Sequence, residues 1–315
     1  MTEEFDFSFN QVNVRNISSI GQKMAELEER RILELYELAS EIADSLLHFR
    51  GEMNVCDMLT LLSEDLHFQK GDVHQFALNV NLQRLNSFLS ELSIRDRILF
   101  TDLLVERLRF LEIEVNTAVF LPENDSPEIF TYVKNSLSDE AYDVFSEDFF
   151  DPKLKYSLSL KEAAALAAEG SVTYALLPLE EAGGERLHTA SELIFRQDLK
   201  INRVTPVFGL DGSVDMKFAL VSKGFTVPKI EKDDDVYFEI RVSISSSISE
   251  ILLAAENFAA SVYRINTLSF NTDGEDESFY SIVFKSNTGN FTELIAYLTL
   301  FIDSYTPVGV YKNLE

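Results

Sequence analysis

Apolar residues recur at helical spacing through Ile20, Met24, Leu27, Leu35, Leu38, Ile42 and Leu46, which predicts one long amphipathic helix from about residue 20 to residue 50. Residues 1–15 carry no period and are expected to fray or form an arm. Helical periods over 55–66, 73–92 and 95–111, with almost no proline between them, extend the helical reading to residue 112.

The pattern then changes. Residues 116–121 read as a short apolar strand, and the turn 122–127 opens a helix at about Glu128, with Ser126 as its cap. A strand at 156–158, an Ala-rich helix over 160–169 closed by Gly170 and a strand at 172–177 follow, and strands alternating with helices imply a parallel sheet. Residues 189–195 read as a helix, 201–208 and 218–221 as strands, and 224–235, with Pro228 and an acidic run, as a linker.

The most regular stretch comes last. Residues 236–243 alternate, 248–261 form an amphipathic helix, and 262–270 alternate again. After the turn at Asp273 and Gly274 come a strand at 279–284, a helix at 291–302 and a strand at 308–311, giving the βαββαβ order of a ferredoxin-like sandwich. The expected class is therefore α+β and multidomain: an all-helical domain over 1–112, an αβ lobe over 113–225 and a ferredoxin-like domain over 226–315.

Charge narrows the partners. Lys and Arg number 27 against 53 Asp and Glu, a formal charge of −26, and such a surface repels nucleic acid and anionic membranes. The excess acid reads as solubility or life in a salty cytoplasm. The single cysteine, Cys56, cannot form an internal disulfide, the N-terminus lacks the features of a signal peptide, and no apolar run reaches bilayer length. A reducing, cytoplasmic setting is expected.

Few constellations suggest chemistry. His67, Asp72 and His74 lie close in sequence but lack a fourth ligand at useful spacing, so surface placement and no metal are expected. His188 reads as an exposed histidine at a helix start. The pair Gly183 and Gly184 precedes that helix, yet Glu180, Glu181 and Glu185 surround it and repel an anion. No P-loop, nucleophile elbow or Cys/His pair is present, and no cofactor is expected.

The segment YALLPLEEA over 174–182 resembles the YGVVPIENS turn of prephenate dehydratases, whose Asn and Ser hydrogen-bond the substrate carboxylates. Pro178 and Glu180 keep that frame, while Glu181 stands at the Asn position and Ala182 at the Ser position. A further carboxylate repels a dianion and Ala donates nothing. Upstream, residues 117–126 resemble the family's opening VAYLGPEGSFS strand and turn, and 159–170 its FxDVFxAVExGxAD helix. The resemblance implies one lobe of a two-lobed fold, with only 208–215 standing where the second lobe would be. The family's Thr-Arg-Phe motif has become Met216, Lys217 and Phe218, and Met has no proton to give a departing hydroxyl. Loss of the polar turn, the catalytic Thr and the closing lobe together argue against dehydration.

The ending resembles an ACT domain, the amino-acid-sensing module of such enzymes, through EILLAAENF over 250–258 and VGVY over 308–311. The family's GALV and ESRP effector motifs read Ser249 to Leu252 and Ser269 to Thr272 here, without the Gly or the Arg. Residues 28–43 resemble the long helix of chorismate mutase, with Leu38 at its Arg position and Leu46 and Leu47 near its Lys position. Arg84, Arg95, Arg97, Arg107 and Arg109 remain as charges on other helices.

These resemblances imply a non-catalytic regulatory or ligand-sensing protein linked to phenylalanine biosynthesis. A small-molecule effector, such as an amino acid, is expected at Ser246, Ser247, Ser249 and Asn266, in a homodimer formed through the ACT-like sheet. The alternatives are an active dehydratase or mutase with a rebuilt site, and a structural interaction protein.

Overall fold

A computed structural model describes residues 8–47, 91–117, 128–226, 235–272, 275–302 and 305–313, together with Leu59, Leu89, Leu121 and Pro228. Helix α1 spans Ser8–Leu47 and α2 spans Ile94–Phe110. Then come β1 (Ile129–Val133), α3 (Ser136–Ser146), β2 (Lys153–Ser157), α4 (Leu160–Ala168), β3 (Tyr174–Glu181) and α5 (His188–Arg196). The hairpin β4 (Lys200–Phe208) and β5 (Val214–Ser222) follows, and then β6 (Val236–Ser243), α6 (Ile248–Asn257), β7 (Ser261–Thr272), β8 (Glu275–Ser286), α7 (Thr292–Phe301) and β9 (Thr306–Lys312).

Several expectations change. Residues 8–15, read as an arm, belong to α1. The expected strand at 116–121 is not formed at Asn116, Thr117 or Leu121. The helix expected at Glu128 is strand β1 instead, and a helix begins only at Ser136, where Asn135 Oδ1 accepts the Ser138 amide at 2.9 Å. The strand is pinned by Thr131, which is buried and shares a 2.6 Å hydrogen bond with Ser157 on β2. Helix α6 stops at Asn257 rather than 261, because Ala259 takes a left-handed conformation at φ 55°. Residues 227 and 229–234 of the expected linker, the turn at 273–274, His67, Asp72, His74, Cys56 and most of the helices over 55–66 and 73–92 lie outside the described residues.

One nine-stranded sheet runs through the molecule in the order β2-β1-β3-β5-β4-β9-β6-β8-β7. It is mixed, not parallel: β1 pairs parallel with β2 and β3, and β4 with β9, while every other neighbouring pair is antiparallel. The reversal comes from the β4–β5 hairpin, whose turn closes through the Gly209 amide on the Ser213 carbonyl at 2.7 Å. That hairpin occupies the place where a second lobe was sought. The last four strands take the ferredoxin-like arrangement β9-β6-β8-β7.

Where the two halves of the sheet meet, Ile201 on β4 stands opposite Gly309 on β9. A β-carbon at 309 would collide with the Ile201 carbonyl and side chain, so glycine is what lets these backbones approach. Helices α4 and α5 cover one face of the sheet, through Ala163, Ala167, Leu193 and Ile194 against Leu177, Val221, Tyr237 and Tyr311. On the opposite face α3 buries Ala141 and Phe145 against Phe130, Leu176 and Phe218.

Helices α6 and α7 also lie on that opposite face, with α1 and α2 stacked upon them. Leu35, Ile42 and Leu46 of α1 join Phe100, Leu104 and Leu108 of α2 in a core that continues through Ile251 and Tyr297 to Ile282 and Phe284. The helical segment therefore shares a core with the C-terminal unit. Arg97 of α2 bonds Glu250 of α6 at 2.9 Å, Tyr297 donates to the same carboxylate at 2.8 Å, and Arg109 meets Glu293 at 2.6 Å. No helix among the described residues is long and apolar enough to cross a membrane.

Candidate functional site

In an open α/β sheet, ligands bind beyond the carboxyl ends of the parallel strands. Here those ends are the β1–α3 turn and the close of β3. At the first, Asn135 is spent on capping α3, and Lys134 lies over the Tyr156 ring at 4.8 Å from its centroid. Tyr132 donates to Asp139 at 2.7 Å, and burial, then this carboxylate, holds its hydroxyl protonated well above the ordinary tyrosine range.

At the end of β3 the sequence-derived positions come together. Pro178 stands opposite Phe218, Glu180 opposite Lys217, and Glu181 opposite Met216. A register shift between Pro178 and Glu180 re-aims the chain there, and Leu179 and Glu180 are both buried. Glu181 and Ala182 are exposed. The turn closes through the Gly184 amide on the Glu181 carbonyl at 2.8 Å and the Glu181 amide on the Glu185 carbonyl at 2.9 Å, with Gly184 at φ 77°. Leu187 then returns to the Leu179 carbonyl at 2.9 Å, so this is a closed loop.

The Glu180 carboxylate faces inward. Lys217 approaches it at 3.3 Å, and Arg264 from β7 binds both its oxygens. Six residues on, Arg186 enters the interior and donates to Glu239 of β6 at 2.9 Å, with side chains only 6% and 3% exposed. Ser281 of β8 donates to the other Glu239 oxygen at 2.9 Å, and Tyr311 of β9 donates at 3.2 Å. Burial opposes the Arg186 charge, but Glu239 and its neighbours more than offset this, and its pKa stands above the ordinary arginine value. Burial likewise pushes the Tyr311 hydroxyl well up, with Glu239 adding to the effect.

These charges form a clamp between the β3 turn and the C-terminal strands. Sequence reasoning missed Arg186, Glu239, Arg264 and Tyr311 as a unit, since Tyr237, Glu239 and Arg241 alternate on β6 like an ordinary solvated face. Helix α5 covers that face: Phe195 stacks on Phe270 at 5.1 Å and lies under the Arg241 guanidinium at 4.2 Å. A charged residue at an inward strand position beside Tyr237 was the available signal.

The expected effector positions separate. Ser246, Ser247 and Ser249 sit in the β6–α6 connection and the first turn of α6, where Ser247 and Ser249 hydroxyls lie 3.2 Å apart. Asn266 pairs with Ser281 and so shares the opposite face, beside the clamp. His188 bonds the Ser269 carbonyl at 3.1 Å through its ring. No cluster of three or more metal-binding side chains occurs among the described residues. A groove of about 530 Å³ between α2 and α6 is lined by Arg95, Ile98, Leu99, Asp102, Leu253 and Phe258 among others. Burial raises the Asp102 pKa, helped by Glu293 and Glu106 and opposed by Arg109.

No family model matches the sequence, and no curated protein matches it. Among solved structures, a prephenate dehydratase from Streptococcus mutans is similar at 15% identity and TM-score 0.47, over 59% of this chain and 99% of that one. A prephenate dehydratase from Arthrobacter aurescens, in complex with L-Phe, is similar at 13% identity and TM-score 0.43, over 58% and 89%. GqqA, described as a novel type of quorum quenching acylase, is similar at 15% identity and TM-score 0.43, over 59% and 95%. At such scores it is the chain's own geometry that describes it: a mixed α/β protein built on one nine-stranded sheet.

Proposed function

We propose that this chain is a non-catalytic, ligand-sensing regulatory protein related to prephenate dehydratase, acting in aromatic amino-acid metabolism. The observation that carries this reading is the capture of Glu180 by Arg264 and Lys217. The cations that would attract a dianionic substrate to the β3 turn are committed to the protein's own carboxylate, and Ala182 and Met216 beside it offer no polar hydrogen.

The effector is a small amphipathic molecule such as an aromatic amino acid. The α2–α6 groove supports this, since its volume suits a small ligand, Arg95 and Asp102 offer partners for both charges of a zwitterion, and Leu99, Leu253 and Phe258 are apolar. Ser246, Ser247, Ser249 and Asn266 are the competing positions. The protein pairs with a second copy through its C-terminal sheet, whose edge strand β7 exposes Tyr263 and Ile265.

Isothermal titration of the full chain with phenylalanine, tyrosine, tryptophan, chorismate and prephenate tests the reading. Saturable heat that Asp102→Ala removes supports the groove, and heat that Ser249→Ala removes moves the effector to the α6 start. Absence of heat with every compound removes the sensor, and an ultraviolet change showing turnover of prephenate or chorismate replaces it with an enzyme.

A further inference from the structure

Under α5 lies a small cavity of about 20 Å³, lined by Arg186, Ser191, Phe195, Glu239, Arg241 and Ser281 among others. It has room for about one water-sized occupant. Its polar lining is unbalanced in two ways.

The first imbalance is one of donors. Arg186 Nε is buried and has no acceptor among the described residues, and neither has Asn266 Nδ2, on the strand position opposite Ser281. The main acceptor at the cavity, Glu239, already receives Ser281 on one oxygen and Arg186 Nη1 and Tyr311 on the other. Arginine offers only donors. A water molecule must also donate its own hydrogens, whereas a monatomic anion only accepts.

The second imbalance is one of charge. Among the described residues, two guanidinium groups, Arg186 and Arg241, and one carboxylate, Glu239, line the cavity, one more positive charge than negative, while Arg264 and Lys217 share Glu180 outside it. Asp198 and Glu277 act on Arg241 from further out, yet burial outweighs them and its pKa falls below the ordinary arginine value. A buried surplus of positive charge is costly without a counter-ion.

We propose that this cavity is a binding site for one halide-sized anion, chloride under ordinary conditions, held by Arg186 Nε and the Arg241 guanidinium. The ion completes the charge balance of the cavity lining, and the site is too small for a carboxylate or phosphate, so it is independent of the effector reading.

The test is thermal unfolding of the full chain while sodium chloride replaces sodium gluconate at constant ionic strength, with crystals grown in sodium bromide alongside. The expected result is a saturating rise in Tm of a few degrees that Arg241→Gln loses, and an anomalous bromide peak inside the cavity. Melting that ignores the halide, a halide effect that Arg241→Gln retains, or bromide crystals without that peak overturns the site. If Arg241→Gln does not fold, the native protein in bromide decides the matter alone.

Discussion

Arg186 and Glu239 stand 53 residues apart in the chain and 2.9 Å apart in space, and both are buried. One follows the Gly183–Gly184 turn and the other lies at the middle of β6, so this contact ties the β3 loop to the C-terminal strands. Removing one member leaves an uncompensated buried charge, which costs about 3–5 kcal/mol. Glu239→Ala is expected to lower unfolding free energy by that order. The double variant Arg186→Met with Glu239→Leu is expected to recover much of the loss. Urea denaturation of the single and double variants checks both, and an additive double variant would show that the two side chains do not act as a pair.

Alkaline stability follows from the buried tyrosines. Tyr311 and Tyr297 both have their hydroxyls pushed up, chiefly by burial, above an unfolded value near 10. The folded state keeps protons that the unfolded chain releases, so stability is held below about pH 10 and declines as the pH rises past it. Tyr311→Phe is expected to flatten that decline, measured as Tm from pH 8 to 11. An unchanged slope would place the titration elsewhere.

Gly309→Ala brings a methyl group against the Ile201 backbone at a register pair joining β4 to β9. Overpacking of this kind costs about 1–3 kcal/mol. Chemical denaturation is expected to show that loss, while hydrogen exchange is expected to rise first in β4 and β9. Wild-type protection at both strands would show that the seam tolerates the methyl.

Restoring the missing donors is expected to leave the protein inert. In Ala182→Ser combined with Met216→Thr, the hydroxyls return but Glu180 still holds Lys217 and Arg264. Incubation with prephenate under ultraviolet detection is expected to match the buffer blank. Turnover in this variant would mean that side-chain loss alone silenced the turn.

Element order at the C-terminal end was legible because the sequences of β6 and β7 alternate and α6 and α7 are apolar runs of helical length. β1 was not, since Ser126 and Pro127 ahead of it spell a capped helix start, a local signal that the pairing of β1 with β2 and β3 overrides. The turn at Glu180 was legible by resemblance, but the pairing of its carboxylate was not. Three clustered glutamates look repulsive in a list, and only the fold shows that one of them turns inward to cations 37 and 84 positions away, at Lys217 and Arg264. Long-range pairing of this sort leaves no local period to detect.

Strand β9 comes after every other strand in chain order, yet it lies between β4 and β6. During synthesis the edge of β4 must therefore wait, with its backbone amides unmatched, until Gly309 emerges from the ribosome. The sheet is closed like a zip whose slider is threaded last, and premature arrest upstream of residue 306 would release two half-sheets with open edges, the form most prone to join other chains.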